Sequence, residues 1–475
     1  MLFLVLRFVL IFTSPQLHYL QSIRLMTCSR SALTAVLTLL FIASASAAEL
    51  RAGPMVGATA MRAVKIWVQA DAAGNAEIQY WDTQAPEKIM KTRAVALADD
   101  NDFVAHFDVV ALEPGRTYGY RVNIDGREQK LGQSLTFKTQ TLWQWRSDAP
   151  DWKLVFGSCA YTNEPAYDRP GVPYGGPREA MRIYDSMAGQ RPDLTLWGGD
   201  YLYFREADYD SEWGLRYRWK HDRGIPEVQN LLRTGSHVAI WDDHEFGPND
   251  SNSSYVFKGT TFALFKRYWA NASYGLPETP GTFGNFTFND AEFFLIDNRS
   301  YRDSDKLLAA DKSKLGAAQL RWLKNALLAS IAPLKIIALG SQVTNNANTK
   351  AEGWDKFPRE RVEILKFLLE QKLDGVLLLT GDRHFTELLK TERPGSYPLY
   401  ELTCSPLTSG VPPGLDDEKA NPQVVPGTFV AQRNFCTVDF SGAATARKLT
   451  LRSFSTTGKK LWEREIALSE LRTPK

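Results

Sequence analysis

The sequence predicts an α/β protein preceded by an all-β segment, and three features carry that reading. From Lys153 onward, short apolar runs ("KLVFG", "DLTLW", "HVAIW", "KIIALG", "GVLLLTG") each end in glycine or a polar cluster. Runs of this kind read as buried strands when amphipathic stretches separate them. Two such stretches are helical in period: Leu320, Leu323 and Leu327 share a face of "AAQLRWLKNALLAS", as do Val362, Leu365 and Leu369 in "RERVEILKFLLEQ". Before them, residues 50–140 hold alternating runs, "AVKIWVQA", "AEIQYWD", "FVAHFDVV", "TYGYRVNIDG" and "LTFKTQ", divided by Gly, Pro, Asp and Asn. That pattern predicts a small β-sandwich, and "EPGRTYGYRV" resembles a late strand of fibronectin-type modules.

Boundaries follow from these textures. Residues 1–48 read as a signal peptide, with Met26 a candidate functional start: Arg30 precedes the apolar run Ala32–Ala43, and small residues suited to cleavage follow at Ala45–Ala48. The run is too short to span a bilayer. Residues 49–140 form the β-sandwich and 141–152 a linker, "WQWRSDAPDW" lying across it; 153–475 form the α/β domain, with a hairpin "GNFTFNDAEFFLIDNR" inserted. The expected protein is exported, periplasmic or extracellular, and monomeric, with no membrane span in the mature chain. A net charge of +2 over 475 residues offers no nucleic-acid-binding surface. The basic stretch "ARKLTLRSFSTTGKK" reads as a solvated hairpin face. After export Cys159, Cys404 and Cys436 remain, so at least one thiol is unpaired or bound. Cys404 and Cys436 either pair or stay as two buried thiols.

Four strand ends finish in metal-binding residue types: "GSC" (Cys159), "GGDYLY" (Asp200, Tyr203), "WDDHEFGPND" (Asp242, Asp243, His244, Asn249) and "TGDRH" (Asp382, His384). A single Asp after a strand is usually a cap or a turn; four such ends in one α/β domain point to a site. Carboxylate and amide oxygens suit hard cations such as calcium. A thiolate and a phenolate added to carboxylates suit a strongly Lewis-acidic trivalent ion, ordinarily Fe3+. Asp200, with two oxygens, is the expected bridge between metals. Zinc is disfavoured, because paired Cys or His spacing is missing.

The order Cys…GDxxY…WDDHE…GDxH, behind a small β-sandwich, resembles the PhoD-type alkaline phosphatases, a branch of the calcineurin-like metallophosphoesterases. The resemblance covers the chain from about residue 50 to its end. It implies a four-layer α/β/β/α sandwich behind an immunoglobulin-like domain, and a site holding Fe3+ and Ca2+. Carried across, it puts Cys159, Asp200, Tyr203 and Asp382 on iron. It puts Asn249 and the second oxygen of Asp200 on calcium, with Asp243 also among the metal residues. The broader superfamily has Asp-x-His, Gly-Asn-His and Gly-His-x-His where this chain has Ser-Cys, Trp-Asp-Asp-His and Gly-Asp-Arg-His, so the likeness is to the PhoD branch. The continuation "FGPND" is shorter than the Asn-rich stretch of the best-known members.

The remaining candidates each carry two readings. His244 either protonates the leaving alkoxide or orients Asp243; His384 either ligates calcium or holds phosphate. Arg299 either grips phosphate oxygens or forms an ion pair with Asp297 or Asp303. "SPLTSG" (Ser405–Gly410) either lines the pocket or is a plain turn. The implied reaction is hydrolysis of phosphate mono- and/or diesters, by in-line attack of hydroxide generated on a metal. No phospho-enzyme is expected: Ser158 beside Cys159 reads as a turn residue. The expected substrate is a small-molecule or phospholipid phosphate ester. Rival readings are a phospholipase-D-like phosphodiesterase and a non-catalytic secreted binding protein; the latter should have lost metal residues, and here they are all present.

Overall fold

In the strand Trp152–Gly157, Leu154 and Phe156 belong to one apolar core and Val155 to another, the two-residue period of extended backbone. The structure, a computed structural model, describes residues 47–171, 174–347 and 352–474, and this alternation organises much of it. Leu154, Phe156, Leu196 and Ile240 from one sheet share a core with Phe293, Leu295, Ile336 and Leu379 from another. On the other face of the first sheet, Val155, Trp197 and Ala239 pack with Tyr184, Leu215 and Phe265 of the helices Ile183–Gly189, Glu212–Arg223 and Lys258–Tyr268. On the other face of the second, Phe294, Ile337 and Leu378 pack with Leu323 and Leu327 of Ala317–Ala329 and with Ile364 and Leu368 of Pro358–Glu370. Burial on both faces is why these strands are unbroken apolar runs in the sequence.

The first sheet has nine strands, in the order Lys460–Ala467, Lys448–Ser455, Asn434–Ser441, Trp152–Gly157, Leu194–Gly198, Ser236–Ile240, Leu50–Thr59, Ala63–Ala70, Val104–Val110. The second has six: Gly284–Phe288, Ala291–Leu295, Leu334–Leu339, Val376–Thr380, Leu399–Thr403, Glu387–Thr391. Trp152–Gly157, Leu194–Gly198 and Ser236–Ile240 run parallel, as do Ala291–Leu295, Leu334–Leu339, Val376–Thr380 and Leu399–Thr403. Their carboxyl ends are where open α/β sheets place ligands.

The N-terminal β region is built differently from the sequence expectation. Leu50–Thr59, whose Gly53 and Pro54 obscure any strand pattern, pairs in parallel with Ser236–Ile240 through Val56 and Ser236. The nine-stranded sheet therefore runs across the boundary expected near residue 140. Its strands Ala63–Ala70 and Val104–Val110 face a separate sheet centred on Gly74–Asp82 and Thr117–Ile124, burying Ile66, Phe107, Ile78 and Val122 between them.

The helix Pro358–Glu370 also turns another face inward than expected. Val362 is 61% exposed, and Glu360, Ile364 and Leu368 are the buried residues. The Glu360 carboxylate accepts the backbone N–H groups of Lys314 and Leu315. Apolar counting cannot see that polar docking, and it sets the rotation of the helix.

Cys404 and Cys436 form a disulfide that ties the end of Leu399–Thr403 to the strand Asn434–Ser441, and so one sheet to the other. Closing a loop of 32 residues restricts the unfolded chain. Replacing both cysteines by alanine is expected to lower stability by about 3 kcal/mol in denaturant unfolding; an unchanged midpoint would refute it. The basic C-terminal stretch forms the hairpin Lys448–Ser455/Lys460–Ala467, with surface pairs Lys448–Glu465 and Arg452–Glu463. Among the described residues no helix is long and apolar enough to cross a membrane. The expected signal peptide, residues 1–48, lies outside the described residues except for its last two, Ala47 and Ala48.

Candidate metal centre

Cys159, Asp200, Asp382 and His384 all have left-handed backbones, with φ of 62°, 56°, 68° and 55°. Residues other than glycine pay about 1–3 kcal/mol for such a conformation, and they cluster at functional sites. Each follows the carboxyl end of a parallel strand, where the chain turns sharply and aims the side chain across the sheet edge. Asp200, Asp242, Asp243 and Asp382 thereby bring carboxylate oxygens within 4.8 Å of one another, and Asp200, Asp243 and His244 form an overlapping group. Cys159 Sγ lies 3.5 Å from Asp200 Oδ2.

Two loops of this cluster are tied together by Glu245. Its buried carboxylate accepts the backbone N–H of Asp200 at 2.8 Å, that of Asp242 at 3.1 Å and that of Tyr201. The loops touch: a Cβ on Gly199, at φ +93°, would stand 2.9 Å from Asp242 Cβ, and one on Gly340 would meet the Asp242 carboxylate at 2.3 Å. These glycines exist because another backbone or a carboxylate occupies the space of a side chain.

Arg299 compensates the negative charge. It is fully buried, with its guanidinium 2.5 Å from Asp242, 3.4 Å from Asp243 and 2.7 Å from Glu352. The expected side-chain ion pairs with Asp297 or Asp303 do not form; Asp297 instead accepts the Arg299 backbone N–H. Burial, then Asp243, Asp242 and Glu245, push the Asp200 carboxyl well above its usual range. Burial and Asp242 push Asp382 up to about 7. Asp243 is held below the ordinary range: burial opposes ionisation, but His244 and Arg299 outweigh it. Burial pushes the Cys159 thiol up, with Asp200 and Asp382 adding to it.

His384 donates from Nδ1 to the carbonyl of Gly410 at 2.6 Å, since a carbonyl can only accept. Its Nε2 is left with a lone pair, 3.2 Å from the Tyr203 hydroxyl. Tyr203 is buried, its ring tilted 31° against that of His244 with centroids 3.8 Å apart. His244 Nε2 stands 3.8 Å from Asp243 Oδ2. The segment Ser405–Gly410 is no plain turn: Ser405 Oγ lies 3.1 Å from Cys159 Sγ, and Ser409 Oγ lies 3.1 Å from the Tyr203 hydroxyl.

Asn249 is exposed; the same turn directs the Asp250 N–H to Asp243 Oδ2 at 2.8 Å, and Asp243, Asp250 and Glu352 form a further carboxylate group. Glu352 already pairs with Arg299 and Arg302, so the group around Asp200 is the stronger cation site. The sequence named Asp242 only as part of its motif, and Glu245, Asp250, Asn298 and Glu352 not at all. Asp242 and Glu245 had a signal, the motif "WDDHE" itself. Glu352 had none, because it stands far along the sequence from any of the four strand ends.

The donors suit cations. Asp242 Oδ2 and Asn298 Oδ1 are buried without a hydrogen-bond partner, although Asn298 Nδ2 donates to Asp242 Oδ1 at 2.8 Å. Buried oxygens left unpaired cost about 1–3 kcal/mol each, and a bound cation satisfies them. Four crowded carboxylates beside a thiol and a phenol form a set of hard oxygen donors with a harder-to-ionise pair that a strongly Lewis-acidic ion deprotonates.

Comparison with known proteins agrees with this geometry. Residues 155–450 match the PhoD-like phosphatase family, and residues 47–142 match a domain family of unknown function, DUF7800. Alkaline phosphatase D of Bacillus subtilis (strain 168) is 26% identical over 326 residues, which are 59% of this chain; the chain spans about half, 53%, of that relative's length. A solved structure of PhoD superposes with a TM-score of 0.71 at 19% identity, covering 89% of this chain and 90% of the other. The purple acid phosphatase PPD1 of yellow lupin (Lupinus luteus) gives 0.64 at 9% identity, covering 87% and 74%. The fold is thus a mixed α/β fold of several sheets like that of PhoD and of purple acid phosphatase. With the family match spanning the strands and loops that converge on Asp200, this chain belongs to the PhoD-like phosphatases.

Proposed function

We propose that the chain is an exported, metal-dependent phosphoesterase that hydrolyses phosphate mono- and/or diesters. The observation that carries this is the convergence of Asp200, Asp242, Asp243 and Asp382 around a single point, with Cys159 against Asp200. Cys159, Asp200, Tyr203 and Asp382 would hold Fe3+; Asp200 and Asp243 would share Ca2+. His384 joins the ligands in this reading, because its Nδ1–H is engaged and its Nε2 offers only a lone pair. Asn249 and Asp250 are both exposed, and Asp250, grouped with Asp243 and Glu352, would add a carboxylate oxygen beside Asp243. When bound, the ions supply Lewis acidity that neutralises phosphoryl oxygens and makes water a nucleophile at neutral pH.

The chain's own groups do the rest. Glu245 holds the Asp200 and Asp242 loops in register, so the acceptor oxygens are oriented before substrate arrives. Arg299 positions Asp242 and Asp243 and does not reach for phosphate, being fully buried against three carboxylates. His244, partly exposed beside Asp243, is placed to give a proton to the leaving oxygen. The same reading takes residues 153–475 as a four-layer α/β/β/α catalytic domain, behind a linker of residues 141–152 and an immunoglobulin-like segment of residues 49–140 whose strands Leu50–Thr59, Ala63–Ala70 and Val104–Val110 extend the first sheet.

The test is elemental analysis of the purified protein, followed by hydrolysis of a mono- and a diester with and without added calcium. Iron in stoichiometric amount should give a coloured protein through the Tyr203 phenolate, and Tyr203→Phe should bleach it. Metal-replete protein that hydrolyses neither ester would end the enzyme reading; a colourless, iron-replete protein would end the Tyr203 assignment alone.

A further inference from the structure

One wall of the metal centre is aromatic. Tyr161 meets Tyr203 edge-on, with ring centroids 5.0 Å apart. Tyr174 extends the wall, its centroid 4.9 Å from Tyr161, 5.9 Å from Tyr203 and 5.6 Å from His384. These rings differ in exposure. Tyr161 and Tyr203 are 9% and 3% exposed, whereas Tyr174 is 46% exposed. Tyr174 therefore touches a candidate ligand on one side and solvent on the other. Its hydroxyl stands 3.4 Å from both ring nitrogens of His384. Those distances are equal and longer than ordinary hydrogen bonds, so ring packing, and not a directed bond, holds Tyr174 in place.

We propose that Tyr174 selects the leaving group, stacking on the flat ring of an aryl or heteroaryl phosphate ester whose phosphate lies at the metal centre. The inference rests on the phosphoesterase reading and names its substrate class. An exposed aromatic ring backed by other rings, here Tyr161 edge-on and Tyr203 and His384 tilted, favours a second π face over a saturated group of equal size, by about fivefold in affinity. The role is one of specificity, since Tyr174 contacts the organic group and not the reacting bond.

The experiment compares phenylphosphonate with cyclohexylphosphonate, two non-hydrolysable ligands of similar size, by calorimetric titration of the metal-replete protein. Wild type is expected to bind the phenyl ligand about fivefold more tightly, Tyr174→Phe to keep that ratio, and both Tyr174→Ala and Tyr174→Leu to bring it to about one. Leucine keeps bulk at the position, so a fold that tolerates only one of the two variants still gives an answer. The proposal is overturned if wild type does not discriminate, if leucine preserves the ratio, or if phenylalanine loses it. Hydrolysis of p-nitrophenyl phosphate by the same wild-type protein tests the phosphoesterase reading separately. Discrimination without hydrolysis would sink that reading and leave the ring-stacking site standing.

Discussion

Asp200→Asn is expected to lower phosphoesterase activity by at least roughly a thousandfold, the scale of several kcal/mol of charge stabilisation that a metal clamp supplies, while making the metal-stripped protein more stable. The substitution is nearly isosteric. It keeps an oxygen for the His244 N–H, which lies 3.3 Å from Asp200 Oδ1, and removes only the charge. That charge stands among Asp243, Asp242, Glu245 and Asp382, which with burial raise the Asp200 carboxyl well above its ordinary value of 3.8. The sign follows. A carboxyl whose folded pKa exceeds its unfolded one contributes stability that is full below 3.8 and is lost as pH rises through the folded value. Metal-stripped wild type should therefore lose more stability between pH 4 and pH 8 than the variant does. Thermal melts of both at the two pH values check it, with metal content and turnover measured in parallel. Equal melting behaviour at both pH values would mean that the acid crowd is not what strains this site.

Arg299→Met is expected to cost about 3–5 kcal/mol in denaturant unfolding, because it leaves Asp242, Asp243 and Glu352 buried without their shared cation. Arg299→Lys should rescue little, since one ammonium cannot replace a fork that reaches several carboxylates at once. The exposed pair Arg169–Glu206, at 85% and 51% side-chain exposure, serves as the contrast: its removal should change stability by about 0.5 kcal/mol or less. A small loss for Arg299→Met would show that solvent or a bound cation screens the cluster in the folded protein.

Much of the site was legible because its signals are local. Cys159, Asp200 and Asp382 each follow an apolar run directly, so the strand and the residue it delivers lie together in the sequence. The order of Asn249 and Asp250 about Asp243 is not legible in that way. Which of two neighbouring turn residues faces Asp243 depends on the turn's dihedral angles, and Asp250 at φ 59° gives that place to its own N–H. The helix Pro358–Glu370 failed in the same way: the sequence shows two apolar stripes, and the acceptor role of Glu360 chooses between them. The strand Leu50–Thr59 was unreadable, because glycine and proline break its pattern while partner strands on both sides supply its order.

The sequence by itself determined the α/β class, the strand ends that carry the candidate metal residues and the hardness of the cations such residue types suit. Periodicity and residue chemistry are properties of short segments, so no contact is needed to read them. Only the tertiary structure decided which groups meet: Arg299 with Asp242 and Glu352, Glu245 with the Asp200 loop, Ser405 with Cys159, Cys404 with Cys436 and Tyr174 with His384. Each of those pairs joins segments that follow or belong to different strands. Their meeting is set by strand order and register, which arise when the whole core packs and which no single segment encodes.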